Sequence, residues 1–225
     1  MDTTARTIVA VSGGLSRDSS TRRLIDLLVD SVVRQAAERG LTVEPRIVDL
    51  RDYARELGEG QLTGLTGGPL KDAVDDLVTA DALVVGSPTF KASYSGLFKS
   101  FWDLTVDGAI AGLPTLLAAT GGSGRHSLMI EHHLRPLFSY LKALVLPTAV
   151  FAAPEDWADD ALQQRVDRAA RELVGQLSVG VGFGRGQQAV AAVGLTENAV
   201  QAALDADPFV DPAAQVGASP KGAEG

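Results

Sequence analysis

The chain has 225 residues, of which 45 % are hydrophobic, so it is long enough for one large globular domain or one domain with a tail. It contains no cysteine, which excludes disulfide bonds, thiolate catalysis and cysteine metal sites. The formal net charge of −8 argues against a nucleic-acid partner, and no apolar run is long enough for a membrane helix. Because no cleavable signal stands at the N-terminus, we expect a cytoplasmic protein.

The first predicted strand, residues 6–11, runs into a loop crowded with glycine and hydroxyl residues. A helix is predicted from Ser20, with an apolar stripe and with Gly40 just beyond its last turn. Hydroxyls and free N–H groups at a helix start suit a phosphate monoester; simple N-capping by Ser19 or Ser20 is the alternative. The candidate phosphate ligands are Ser12, Ser16, Arg17, Ser19, Ser20 and Thr21.

The next segments add a second strand and a short helix. Residues 41–50 alternate loosely between apolar and polar side chains and predict the strand. Residues 51–68 are polar and contain glycine, so we expect an irregular surface segment. Residues 69–79 predict a helix, because Pro69 suits a first turn and apolar residues follow at helical spacing.

The stretch at residues 81–96 begins with a continuous apolar run, which is typical of a strand buried on both faces of a parallel sheet. The run breaks at Gly86-Ser87-Pro88, and hydroxyl residues with two aromatic rings, Phe90 and Tyr94, follow before a helix. In open α/β sheets, ligands bind where such loops leave the carboxyl ends of strands. The combination of hydroxyl groups and aromatic rings suits a flat ligand with polar edges. The alternative is an ordinary strand-to-helix connection.

The last part of the domain repeats this pattern. A strand at residues 114–119 leads into a loop with three glycines, at which a backbone can approach a flat ligand. A helix is expected over residues 127–143, with a local irregularity at Pro136. Residues 144–152 predict a fifth strand, and residues 157–177 predict a final amphipathic helix.

Five strands alternating with helices predict an α/β fold, a three-layer, doubly wound parallel sheet. Right-handed crossovers and ligand loops after strands one, three and four favour the flavodoxin-like order 2-1-3-4-5. We place this domain at residues 1–178. Residues 179–225 are rich in glycine, alanine and proline and predict an extension that is partly disordered or packs on a neighbouring subunit.

Three loops at one sheet edge then have complementary roles. The first can hold a phosphate, the second can line one side of a ring, and the third can offer N–H donors to the polar edge of that ring. Together they describe a site for flavin mononucleotide (FMN).

A family resemblance supports this hypothesis. Residues 87–99 read Ser-Pro-Thr-Phe-Lys-Ala-Ser-Tyr-Ser-Gly-Leu-Phe-Lys and resemble the Ser-Pro-x-Tyr-x-x-Ser-x-Ser-Gly-x-x-Lys motif of the NAD(P)H-dependent FMN reductases. Residues 119–122, His126 and residues 134–136 match as well. The likeness covers roughly residues 5–155. It is strongest to alkanesulfonate-type reductases of two-component monooxygenase systems and to those partnered with luciferase-like monooxygenases.

The resemblance implies FMN and NAD(P)H as cofactors, with the phosphate held by the residues named above. It also implies two groups around the ring: Pro88, Thr89 and Phe90 along its face with Ser95 nearby, and Thr120, Gly121 and Gly122 at its edge. Phe90 departs from the family, which often has tyrosine there, so stacking must replace a hydroxyl contact.

No catalytic side chain is implied, because hydride passes from nicotinamide to flavin. His126 and His132 are candidate modulators, and His132 falls where related reductases carry a π-bulge. His133 is as well explained as a solvent-facing residue, and the three histidines do not predict a metal site. Lys91 and Arg125 either favour NADPH through its 2′-phosphate or are solvated loop charges.

The predicted function is an NAD(P)H-dependent FMN reductase that supplies reduced FMN to a separate monooxygenase. One alternative keeps FMN bound and reduces quinones, azo compounds or metal oxyanions; another is a flavodoxin-like electron carrier. The aromatic residues Phe98, Phe101 and Trp102 crowd one helix, which core packing or a subunit interface explains. Related reductases assemble around their flavin sites, so a homodimer or homotetramer is expected.

Overall fold

The computed structural model describes residues 5–179, which form a parallel sheet flanked by helices. The strands are β1 Arg6–Ser12, β2 Val43–Asp49, β3 Ala82–Pro88, β4 Pro114–Thr120, β5 Leu144–Val145 and β6 Val150–Ala152. The helices are α1 Ser20–Glu38, α2 Ala54–Thr63, α3 Gly68–Thr79, α4 Gly96–Asp103, α5 Arg135–Tyr140 and α6 Asp160–Val179. A π-helical turn spans Ile130–Leu134, and 3₁₀ turns span Leu50–Tyr53, Gly124–His126 and Pro154–Ala158.

The sheet has the order β2-β1-β3-β4-β5, and β6 pairs with the far end of β4. All of these pairs are parallel, so the predicted flavodoxin-like order is confirmed. The expected fifth strand is divided in two. Pro147 lies between the two parts and has no N–H to donate, and the Arg135 guanidinium bonds the carbonyls of Leu146 and Pro147 at 3.0 and 3.2 Å.

Helices cover both faces of the sheet, giving three layers with an apolar core on each side. On one face, α1 and α6 pack on the inward side chains of β1, β3 and β4. On the other face, α2, α3, α4 and α5 enclose the second core. Among the described residues, no helix has both the length and the apolarity to cross a membrane.

The crowded aromatic residues of α4 belong to that second core. Phe98, Phe101 and Trp102 are buried, and Trp102 meets Phe138 of α5 edge to face with 4.8 Å between ring centres. Packing within the chain therefore accounts for these rings, the first of the two explanations that the sequence offered.

The expectation of an irregular surface over residues 51–68 was wrong. The segment contains a 3₁₀ turn and α2, whose Leu57 is fully buried. Gly60 lies in the interior of this helix, where glycine is ordinarily unfavourable. Glycine is needed here because a Cβ would come within 2.7 Å of the Leu104 side chain. Packing against α4 thus outweighs the local preference of a glycine-containing sequence.

The helix expected over residues 127–143 is shorter in the structure, and the local irregularity expected at Pro136 is confirmed. The π-helical turn Ile130–Leu134 leads directly into the short α5, which has Pro136 in its first turn. Proline has no N–H to donate, so an α-helical hydrogen bond to the preceding turn cannot form there. The predicted extension, residues 179–225, lies outside the described residues except for Val179, the last residue of α6.

Candidate functional site

Three loops leave the carboxyl edge of the sheet at the same level. In the strand register, Ser12 stands opposite Gly86, Pro88 opposite Thr120, and Thr120 opposite Ala152. The loops after β1, β3 and β4 therefore start side by side, as the sequence predicted.

The loop after β1 is fixed by its own backbone and by β3. The Gly13 N–H donates to the Gly86 carbonyl at 2.8 Å, and a Cβ at Gly13 would come within 2.9 Å of the Phe98 ring. Ser19 caps α1, its hydroxyl accepting the Arg22 N–H at 3.2 Å. A Cβ at Gly14 would overlap the Ser19 hydroxyl, so the two residues together make a tight turn around the helix start.

The hydroxyls of this loop divide into two groups. Those of Ser12, Ser19 and Thr21 are buried: Ser12 accepts the Gly14 N–H at 3.4 Å, and Thr21 bonds the Thr120 hydroxyl at 2.7 Å. Three more of the predicted ligands are exposed at the loop surface, namely Ser16, Arg17 and Ser20.

The two arginines near this loop, Arg17 and Arg22, differ in whether their charge is free to bind an anion. Arg22 is held by Asp26 at 2.8 Å and by Asp49 at 3.4 Å, so its charge is already neutralised. Burial raises the pKa of Asp49, with the charge of Asp52 adding to the effect and that of Arg22 opposing it. Within residues 5–179, the Arg17 side chain has no hydrogen bond or ion pair. Arg17 is therefore the cation that this loop can offer to an anion.

The loop after β3 is a tight turn. Phe90 and Ser93 exchange backbone hydrogen bonds of 2.8 and 3.0 Å, and the residues between them, Lys91 and Ala92, both have positive φ angles of 50° and 70°. Side chains other than glycine seldom adopt that conformation, so the turn is strained. It presents the Phe90 ring to solvent with 46 % of its surface exposed.

Two serines tie this loop to the first one. The Ser87 hydroxyl accepts the Ser95 N–H at 2.9 Å, and the Ser95 hydroxyl donates to the Gly13 carbonyl at 2.8 Å while capping α4. Ser95 is fully buried, so its side chain is committed to the protein and positions the two loops.

Two hydroxyls at the site have no partner among the described residues. Thr89 Oγ1 and Ser123 Oγ are both buried, although their residues are only half-buried. A buried polar atom without a partner is unfavourable, so such atoms mark places where a ligand or water completes the bonding.

The glycines of the third loop differ in their surroundings. A Cβ at Gly121 would lie 2.9 Å from the Phe151 ring and 3.0 Å from His126 Cβ, so internal packing requires glycine there. At Gly122 a Cβ would meet no atom of residues 5–179 within 4 Å. The open side of this loop is therefore at Gly122.

Two cavities flank the loops. The larger, about 650 Å³, lies between the start of α1 and the β6–α6 connection. The smaller, about 250 Å³, lies between the β3 loop and the π-helical turn and is lined by Thr89, Ala92, Arg125, His126, Leu128, Met129, His132 and His133.

The three histidines meet at the smaller cavity. His132 lies within the π-helical turn, at the position where the family resemblance placed a bulge. The solvent-facing alternative for His133 was wrong, because the residue is half-buried, lies 3.4 Å from the Ser93 hydroxyl and contacts the Tyr94 ring edge to face. Its contact partners lie far away in the sequence, so helical spacing alone gave no signal of them. No group of residues that could hold a metal ion occurs in residues 5–179.

Comparisons with known proteins agree with this geometry. The family model described as NADPH-dependent FMN reductase matches residues 6–158. The NADH-dependent FMN reductase SfnE of Pseudomonas putida is 40 % identical over 176 residues, which cover 74 % of this chain and 90 % of that protein. The FMN reductase (NADPH) of Pseudomonas aeruginosa is 38 % identical over 170 residues, which cover 72 % and 88 %.

A solved structure is similar too. An oxidoreductase from Corynebacterium diphtheriae is 39 % identical and aligns with a TM-score of 0.76 over 78 % of this chain and 98 % of that one. The sheet order and the three loops define a flavin-dependent α/β oxidoreductase. The chain belongs to the NADPH-dependent FMN reductase family, and FMN and NAD(P)H are its cofactors.

Proposed function

We propose that this FMN reductase releases its flavin after reduction and supplies reduced FMN to a separate flavin-dependent monooxygenase. The observation that supports the release is the exposure of the loop tips. Ser16, Arg17, Phe90 and Gly122 are all exposed within residues 5–179, and no described element covers them. An open cradle suits a ligand that enters and leaves in every turnover.

The loop after β1 holds the FMN phosphate in this proposal. Exposed Ser16 and Ser20 donate hydroxyl hydrogen bonds, and Arg17 adds a charge that no other described residue neutralises. The start of α1 contributes its N–H groups and its dipole. Buried Ser12, Ser19 and Thr21 shape the cradle from beneath.

The other two loops hold the ring. Pro88 and Phe90 provide apolar surface for stacking, and Thr89 Oγ1 gains the hydrogen-bond partner that it lacks among residues 5–179. Gly122 lets the backbone approach the ring edge, with Thr120 and Gly121 fixing its position. An unpartnered hydroxyl and an open glycine are features that fit a flat ligand with polar edges.

When FMN is bound, it would supply the redox chemistry of hydride transfer from the nicotinamide. The residues of this chain bind and orient the two cofactors, so we assign no side chain as a proton donor or acceptor. His126 and His132 line the small cavity beside Thr89 and act as modulators of cofactor binding in this proposal.

The supply role is tested by initial rates of NAD(P)H oxidation at FMN concentrations from zero to saturation. The proposal expects little oxidation without added FMN and a hyperbolic rise with it. A protein that purifies with bound flavin and whose rate ignores added FMN contradicts the proposal and favours the alternative, a reductase of quinones, azo compounds or metal oxyanions.

The assembly and the location of the protein are also proposals. We infer a homodimer or homotetramer in the cytoplasm. The buried α4 rings do not serve as the interface, whereas Leu128 and Tyr140, near the π-helical turn, are 61 % and 83 % exposed. Size-exclusion chromatography with light scattering tests the assembly, and a monomer at micromolar concentration contradicts it.

A further inference from the structure

The larger cavity is more than a phosphate needs. It measures about 650 Å³, a volume typical of sites for whole organic ligands, and it is lined by Ser19 and Ser20, where the loop after β1 meets α1. Arg23 and Asp26 of α1 and Trp157 of the β6–α6 connection line it as well, and we call these three residues its outer end.

The outer end combines a flat aromatic surface with a cation. The Arg23 guanidinium lies 4.5 Å from the centre of the Trp157 ring. The Arg23 side chain is exposed and has no ion pair or hydrogen bond within residues 5–179, and Trp157 is half-buried. Aromatic rings, indole among them, and guanidinium planes are surfaces on which nucleobases stack in proteins.

The charges around the cavity favour an anion. Arg17 and Arg23 line it together with Asp18, whereas Arg22 and Asp26, which also line it, are already paired with each other. Asp18 is left as an exposed acceptor that a ribose hydroxyl or an exocyclic amine can satisfy. The stacking surfaces, the free arginines and the Asp18 acceptor together match a ligand with a base, a sugar and a phosphate.

We propose that this cavity is an adenylate subsite in which Arg23 and Trp157 bind the adenine and phosphate of a dinucleotide. The proposal rests on the proposed function, in which the loop after β1, here called the phosphate loop, holds the FMN phosphate beside this cavity. Two sources carry an adenylate into such a site, namely the AMP half of FAD used as flavin substrate and the AMP half of NAD(P)H.

The direct test is calorimetric titration of the full chain with AMP, without FMN and with FMN at saturation. The proposal expects one saturable site that persists when FMN fills the phosphate loop. It also expects AMP affinity to fall about tenfold or more in Arg23→Gln and Trp157→Leu, the usual effect of losing one stacked group. Arg55→Gln is the matched control, because Arg55 lies on α2 at the opposite face of the sheet and its side chain is 80 % exposed.

The same titration separates this proposal from the proposed function, since AMP binding does not require turnover and FMN binding is read independently. If AMP does not bind, or binds Arg23→Gln as tightly as the unchanged chain, the adenylate subsite is refuted. If Trp157→Leu fails to fold, Arg23→Gln alone decides.

Steady-state kinetics then distinguish the two sources. A higher KM for FAD with an unchanged KM for FMN in Arg23→Gln assigns the subsite to the flavin. A higher KM for NAD(P)H with FMN as acceptor assigns it to the nicotinamide nucleotide. Unchanged values for FAD and for NAD(P)H count against the proposal.

Discussion

The hydroxyls of Thr21 and Thr120 are 2.7 Å apart and buried, and they join the first turn of α1 to the end of β4. One residue belongs to the phosphate loop and the other begins the glycine loop. The bond therefore fixes the distance between the two loops that, in the proposed function, hold the two ends of the flavin.

Thr21→Val is expected to lower the free energy of unfolding by about 1–3 kcal/mol, because the Thr120 hydroxyl then lacks its partner. The double variant Thr21→Val/Thr120→Val removes both hydroxyls and is expected to recover part of that loss. Chemical denaturation of the two single variants and the double variant measures the coupling. Strictly additive losses would contradict a direct bond between the two hydroxyls.

Thr89→Val tests whether the unpartnered Thr89 hydroxyl, in the loop after β3, bonds the flavin ring. Since Thr89 Oγ1 has no partner in the described part of the chain, its removal is expected to leave the unfolding free energy unchanged. The KM for FMN is expected to rise about tenfold, the equivalent of one hydrogen bond of roughly 1.4 kcal/mol. An unchanged KM places the ring away from this hydroxyl.

The two glycines after β4 form a matched pair. Gly121→Ala places a Cβ against Phe151 and His126, so we expect a loss of about 1–3 kcal/mol in stability. Gly122→Ala meets no atom of the described residues within 4 Å and is expected to keep full stability while weakening FMN binding. Thermal unfolding and flavin titration of both variants check this separation. Equal effects on stability, or tight FMN binding by Gly122→Ala, would falsify the assigned ring edge.

Asp167 provides a pH test of the packing between α1 and α6. Burial opposes the charge of its carboxylate, but hydrogen bonds from Ser31 and Gln163 and the charge of Arg34 outweigh burial. The pKa of Asp167 therefore lies below its ordinary value of 3.8. Its contribution to stability is complete above that value and disappears as the pH falls through the lowered one.

Asp167→Asn is accordingly expected to destabilise the protein by about 1–2 kcal/mol at pH 7, with the difference narrowing below pH ~4. The control is Asp30→Asn, which changes an exposed aspartate of α1 for which no ion pair or side-chain hydrogen bond is found in residues 5–179. Urea unfolding as a function of pH measures both. A loss that stays constant down to pH 2 contradicts the assignment.

The sequence predicted the sheet because its signals were local and consistent. Continuous apolar runs such as residues 82–85 identify strands buried on both faces, and glycine with hydroxyl residues marked the ends of β1, β3 and β4. These local signals are sufficient to predict that the three loops lie at one edge of the sheet.

Features that depend on distant contacts were missed. The turn at Lys91 and Ala92 contains no asparagine or glycine, so its sequence does not indicate the positive φ angles that it adopts. The packing of α2 depends on the contact of Gly60 with Leu104, which lies far away in the sequence. The cation–π contact of Arg23 with Trp157 joins residues far apart in the chain, so only the fold brings them together.

The central claim, that flavin is a diffusing substrate, is tested most directly under anaerobic conditions. A catalytic amount of the protein is mixed with a hundredfold excess of FMN and a larger excess of NADH or NADPH, and the absorbance of oxidised flavin is followed. The account predicts that the whole FMN pool is bleached. Bleaching that stops at one equivalent per protein chain would contradict it and identify a fixed prosthetic group.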